Sequence, residues 1–295
     1  MDTYRAAARA AQRPVSLPAP PPGVRPVWGT LGAAIDHRLR YAFTCQQAID
    51  GAVREGVMSA AAWSASMRRP DVAEAILATG RDLERELRSL LNQERPDDRN
   101  QPILLAATTE ERLVRLCVAM VWFEEVHRSG VLYPGSPIVQ LAAELTLPTL
   151  LAQVPDYVVD DLTAQVRLAE DALRELRIDT KAENCYSGPT FAGSPAVGGA
   201  DADLIAGRLL LDFKALKDPV RLRPAAAYQL AGYALLDFED LYGLERVGFY
   251  LTRAGQLVTW ELGEFAGLLG AQAPVPELRA ELSSRLASKG PDAEV

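Results

Sequence analysis

The sequence predicts an α/β fold, a mixed central sheet flanked by helices, accompanied by a large all-helical segment. Three observations carry that expectation. Residues 200–261 hold short apolar runs of strand length in the order strand, strand, helix, strand, strand, punctuated by glycine-containing turns. Residues 46–178 show helical periodicity almost throughout. The composition is that of an ordinary globular protein, with 48% hydrophobic and 24% charged residues in a chain of 295, long enough for one large domain or two small ones.

Residues 1–27 contain Pro14, Pro18, Pro20, Pro21, Pro22 and Pro26 and are expected to form an extended or disordered lead-in. A first helix follows within 28–45. Leu31, Ile35, Leu39 and Phe43 form its apolar stripe at four-residue steps. Val72 to Leu91 reads as an amphipathic helix. Thr108-Thr109-Glu110-Glu111 has the form of a capping box ahead of a helix from Leu113 to His127. Pro137 to Leu151 reads as a helical pair broken at Pro148, and Asp156 to Leu176 as one further amphipathic helix. Residues 179–199 are rich in Gly, Pro and Ser, with a strand expected near Glu183 to Phe191.

The sheet signal is clearest from Ala200 to Lys214, which reads as two strands folded back at Ala206-Gly207-Arg208. A helix starting at Pro224 and ending before Gly243 comes next, since proline suits the first turn and glycine the position past the end. Arg246 to Leu251 and Leu257 to Glu261 are strand-like, with Gly255 in the turn between them. A short helix and a polar tail close the chain from Pro274.

Chemistry concentrates in the folded-back pair. Side chains alternate along a strand, so Asp212 and Lys214 share one face. The turn brings the start of the first strand beside the end of the second, where Asp203 meets Asp212. Two carboxylates and an ammonium on one patch are costly unless something binds there, and a hard divalent cation, Mg²⁺ or Mn²⁺, is the natural occupant. The net charge of −8 argues against broad non-specific binding of nucleic acid. Arg38, Arg40, Arg208, Lys214, Lys217, Arg221 and Arg223 nevertheless fall in or near the motif segments, which allows a local basic groove.

Other chemistries find no support. Cys45, Cys117 and Cys185 are far apart and form no zinc-ribbon spacing, so they read as free buried thiols. Glu124-x-x-His127 has the spacing of a carboxylate-bridged di-iron ligand pair but lacks a second such pair, and reads as a solvated helix end. The Gly193 to Gly199 stretch lacks the Lys-Ser/Thr of a phosphate-binding loop, so no nucleotide cofactor is expected, and no Gly-x-Ser-x-Gly elbow is present. No apolar run approaches a membrane span and the N-terminus lacks an apolar signal core, from which a cytoplasmic protein without membrane contact is expected.

Asp203…Asp212-x-Lys214, followed by Gln229-x-x-x-Tyr233 on a helix, resembles the PD-(D/E)XK nuclease superfamily, and its RecB-like branch in particular. The resemblance covers residues 200–261 and, on one short helix, 29–41. It implies a restriction-endonuclease-like core. The first helix of that core would be 28–45, interrupted by a helical insertion at 46–178, and the sheet and Gln-x-x-x-Tyr helix would occupy 179–265, with a C-terminal helix and tail at 266–295.

The implied activity is Mg²⁺-dependent hydrolysis of DNA phosphodiester bonds, in defence, repair or recombination. Asp203 and Asp212 would hold the metal. Asp203 is preferred to Asp201 because Leu204-Ile205 follows it, as in the family pattern. RecB-like nucleases often carry Gly-x-x-x-His on the first helix. Here Gly32 is followed at that spacing by Asp36, with His37 adjacent, so the resemblance implies Asp36, at the position of the family's His, in preference to His37 as a further ligand. Lys214 would position the attacking water, and Gln229 and Tyr233 would orient the lysine or contact the nucleic-acid backbone. Arg40, Arg208, Lys217, Arg221 and Arg223 would face the nucleic acid. The alternative is a catalytically silent nuclease-fold module that binds nucleic acid or a protein. A third reading is a structural protein working through partners of the helical segment, which would show as an exposed apolar patch there.

Overall fold

The structure is a computed structural model that describes residues 17–216, 220 and 222–288. Lys217 and Arg221, both expected at a nucleic-acid surface, lie outside the described residues, as does the lead-in before Leu17. Residues 17–27 carry no helix or strand. The chain divides into two compact units, one spanning residues 16–170 and the other taking in the chain from Asp171 onward. No described helix is long and apolar enough to cross a membrane.

The first unit is helical. It contains α1 (Trp28–Arg40), α2 (Gly51–Ser66), α3 (Pro70–Glu94), α4 (Ala107–Ser129), α5 (Pro137–Leu141), α6 (Leu147–Leu151) and most of α7 (Asp156–Ala172). α4 is its centre and is buried along most of its length, from Leu113 to Phe123. α3 buries Val72, Ile76, Leu83, Leu87 and Leu91, one face of a 3.6-residue repeat. α2 approaches α4 at backbone distance. A Cβ built on Gly56 would stand 1.9 Å from the carbonyl oxygen of Phe123, so only glycine fits there.

The boundaries of this unit correct two expectations. The helix at 28–45 packs with the helical unit and not as a separate piece of a sheet-bearing core. Its Leu31, Ile35 and Leu39 are buried, and Thr30, His37 and Arg38 bond to Glu125, Glu124 and Glu110, all on α4. Nor does Thr108-Thr109-Glu110-Glu111 cap α4, which begins at Ala107 with no side-chain bond from its cap residue. The Glu110 carboxylate instead accepts from Arg38 and from the Leu105 N–H.

The second unit carries α8 (Arg174–Asp179), β1 (Cys185–Ser187), β2 (Leu204–Ala206), β3 (Leu209–Lys214), α9 (Pro224–Leu236), β4 (Arg246–Leu251), β5 (Gln256–Glu261), α10 (Leu262–Leu268) and α11 (Val275–Ala287). The five strands form one mixed sheet in the order β1-β2-β3-β4-β5. β1, β2 and β3 run antiparallel in sequence, β3 and β4 are parallel, and β4 and β5 are antiparallel. A parallel pair needs a crossover, and α9 supplies it.

One face of the sheet presents Leu210, Val247, Phe249, Leu251, Val258 and Trp260 to Ala227, Leu230 and Ala234 of α9 and to Leu262 and Phe265 of α10. α11 is tied to the end of α9 by Arg279, which donates to the Ala234 carbonyl and pairs with Asp240. α9 stops at Leu236, seven residues short of Gly243, and Asp237 holds the turn after it by accepting from the N–H groups of Leu241 and Tyr242. α10 breaks the expected boundary at residue 266.

Candidate active site at the ends of two strands

The β2–β3 turn sets the geometry. Ala206 pairs with Leu209, which leaves Gly207 and Arg208 as a two-residue loop. Gly207 has φ +62°, the left-handed value that such a hairpin requires at its first central position. Register then runs Ile205 opposite Leu210 and Leu204 opposite Leu211. One step further, Asp203 stands opposite Asp212. Both share parity with Ile205 and Leu210, on the face that packs against α9.

Asp212 is 3% exposed, and its Oδ2 lies 2.7 Å from the Nζ of Lys214. The Asp203 carboxylate accepts the backbone N–H of Phe213 at 2.6 Å. β2 has ended there, so this bond satisfies a β3 donor that the strand ladder does not reach. Tyr233, on α9, completes the group. Burial, then the nearby charges of Asp203, Asp212 and Asp201, push its phenol up to about 12, against a smaller opposite effect of Lys214. Tyr233 therefore keeps its proton at neutral pH and offers a donor. Its ring stacks on Phe191 at 6.1 Å between centroids.

Four sequence-predicted residues thus come together: Asp203, Asp212, Lys214 and Tyr233. Asp201, set aside in favour of Asp203, also lies within the field felt by Tyr233. Gln229, one turn before Tyr233, is exposed. Among the described residues no group of three or more His, Cys, Asp and Glu side chains is placed to hold a metal ion. The donor set still suits Mg²⁺, which binds through one or two carboxylates, keeps several waters and takes its remaining oxygens from substrate.

The other expected positions fare differently. Arg40 is 5% exposed and pairs with Asp50 at 3.4 Å, so it presents no cation to a nucleic acid. Arg208 is exposed but committed: it donates to the Gly243 carbonyl at 2.7 Å and pairs with Glu245, bracing the loop before β4. Arg223 is exposed at the start of α9. Asp36 is a half-buried residue of α1 in the helical unit.

His37 belongs to a buried charge cluster that local sequence does not reveal. Its Nε2 lies 2.7 Å from Glu124 and its Nδ1 3.8 Å from Asp50. Burial alone would raise the Glu124 carboxyl, but the hydrogen bond and charge of His37, with Arg128 beside it, pull it down to about 2. Glu124 is therefore a core residue and not part of a solvated helix end, although His127 is exposed. Next to it, Arg38 is fully buried and grips Glu110 through two parallel bonds of 2.7 and 2.6 Å. The only hint in the sequence was an excess of charge, Asp36-His37-Arg38-Leu39-Arg40, on a helix that also needs an apolar face.

No protein-family model, no curated protein and no solved structure matches this chain.

Proposed function

We propose that this chain is a Mg²⁺-dependent nuclease that hydrolyses DNA phosphodiester bonds on a restriction-endonuclease-like core. The observation that carries the reading is the convergence of Asp203, Asp212, Lys214 and Tyr233 at the ends of β2 and β3. Support also comes from the topology, a hairpin bearing the carboxylates followed by a helical crossover to a parallel strand. Asp203 and Asp212 would hold the metal, which when bound polarises the scissile phosphate and acidifies an attacking water. Lys214 holds an ammonium beside the carboxylates, where it offsets negative charge developing on phosphate oxygens. Tyr233 supplies a proton donor from the helix side. α9 and Leu210 wall off one side of the group from water, which strengthens each of these interactions.

A second reading, a silent module that binds without cutting, is favoured by one feature. Asp212 is paired with Lys214 and Asp203 with a backbone N–H, so both carboxylates have structural employment. The two readings separate on incubation of the full chain with linear and circular DNA in Mg²⁺, Mn²⁺ or EDTA. The nuclease reading expects cleavage with either metal, none in EDTA, and loss by about a thousandfold in Asp212→Asn with an unchanged circular dichroism spectrum. DNA left intact in all three conditions, or cut equally by the variant, overturns it.

A further inference from the structure

Four aromatic rings form a continuous row from the carboxylate site to the edge of the sheet. Tyr233 stacks on Phe191, Phe191 meets Tyr242 edge to face at 5.7 Å between centroids, and Tyr242 meets Tyr186 in the same way at 5.1 Å. Ring pairs at these separations are favourable beyond the area they bury, so each ring braces the next. Hydrogen bonds fix the middle of the row. The Tyr242 hydroxyl donates to the Thr190 carbonyl at 3.0 Å, and the Phe191 N–H donates to the Ser194 hydroxyl oxygen at 2.9 Å. Tyr186, at the outer end, is 43% exposed.

Register places Tyr186 on the side of the sheet that bears the carboxylates. β1 is an edge strand, and Tyr186 stands opposite Ile205, itself opposite Leu210, on the face that packs against α9. Two residues further on, the Gly188 N–H donates to the carbonyl of Asp203, at the row where Asp203 meets Asp212. Two residues along a strand span about 7 Å. The outer ring is therefore within reach of a nucleotide next to a phosphate held at the carboxylates. The described charges nearby offer phosphate little. Arg208 is committed to the Gly243 carbonyl and Glu245, Lys181 pairs with Glu183, and Glu239, on the loop leading to Tyr242, is exposed. What this edge offers a flanking nucleotide is a ring and not a cation.

We propose that Tyr186 is a specificity-determining residue of this site, a platform on which one unpaired base of the DNA stacks beside the scissile phosphate. The inference rests on the nucleic-acid site of the proposed function. Every base has a π-face, so the contact selects an unpaired nucleotide and not a sequence. A base within a duplex presents its edges in the grooves and keeps its faces stacked, so the strand must be open at that nucleotide. Because Tyr242 already braces the Tyr186 ring, little side-chain freedom remains to be lost when a base covers it.

The test titrates the full chain into a short oligonucleotide carrying one fluorescent aminopurine, single-stranded or annealed to its complement. Ca²⁺ is the cation, since it takes the same oxygen ligands as Mg²⁺. The single strand should bind more tightly than the duplex, and moving the aminopurine along it should find one position where emission is quenched. Tyr186→Ala should weaken that binding by about tenfold and abolish the quench, while Tyr186→Phe and Tyr186→Trp keep both. Circular dichroism checks that each variant folds. An abasic nucleotide at the quenched position should weaken wild type as much as Tyr186→Ala does and weaken Tyr186→Ala little further, a coupling that a merely structural role would not give. The inference fails if no position is quenched, if Tyr186→Ala binds the single strand as wild type does, or if its loss is the same on the abasic strand. Cleavage in Mg²⁺ alongside any of those results leaves the nuclease reading standing without it. Tyr186-dependent stacking with no cleavage in Mg²⁺ sustains the inference and overturns the nuclease reading in favour of the silent module.

Discussion

Replacing Glu124 with Gln should cost the helical unit stability in a way that depends on pH. The Glu124 carboxyl is lowered from 4.5 to about 2 in the folded protein. That gap is about 2.5, and at about 1.4 kcal/mol per pH unit it corresponds to on the order of 3 kcal/mol. Because the folded value is depressed, this stability is fully present above the unfolded value of 4.5 and is lost as pH falls toward 2. Glutamine keeps the shape and an acceptor for His37 but removes the charge that His37 and Arg128 hold. Urea unfolding followed by circular dichroism, which the helices dominate, measures the difference. At about pH 5 the variant should be less stable by roughly 2–3 kcal/mol. The two proteins should converge only as pH falls to about 2 and below, where the folded protein's Glu124 carboxyl is also neutral. A deficit that stays constant from neutral pH to acid would refute the argument, because packing damage does not titrate.

Other expectations are as specific. Asp203→Asn retains an oxygen for the Phe213 N–H and should fold normally while losing DNA cleavage; Asp203→Ala should also lose about 1–3 kcal/mol from the stranded donor, as urea unfolding would show. Lys214→Met keeps the aliphatic stem, so single-turnover kinetics should show kcat falling more than DNA affinity; weakened binding with unchanged turnover would recast Lys214 as a phosphate anchor. Gly56→Ala places a methyl group against the Phe123 carbonyl and should destabilise the helical unit by about 3 kcal/mol or more, read as a lowered thermal midpoint.

The sheet was legible in the sequence because its determinants are local. Short apolar runs at Arg246–Leu251 and Leu209–Lys214, bounded by glycine turns, mark the strands, and the two-residue loop at Gly207-Arg208 fixes the register that brings Asp203 to Asp212. Tyr233 followed from the resemblance of Gln229-x-x-x-Tyr233 to a nuclease helix, with Pro224 marking where that helix starts. The fate of α1 was not legible. Arg38 and Arg40 look like a solvated face until Glu110, 72 residues on from Arg38, and Asp50 supply the partners that let them be buried. The same holds for Glu124, whose partner His37 lies 87 residues earlier. A charged residue earns burial only through a partner, and no local window contains that partner.

The Gly207-Arg208 loop has a consequence for how this chain can vary. Alternation along a strand makes facing a matter of counting, and a slip of one residue reverses every side chain on the slipped strand. If the turn keeps its two-residue form, one residue inserted there would bring Ala202 or Leu204, and not Asp203, across from Asp212. Gly207 lies four positions after Asp203 and Arg208 four before Asp212, yet the length of the turn governs whether the carboxylates meet. Substitution there is open to Arg208, which braces Glu245 and could exchange that task with a neighbour. An insertion or deletion that leaves a two-residue turn shifts the register, and a chain altered in that way would keep its sheet while dispersing the group at its end.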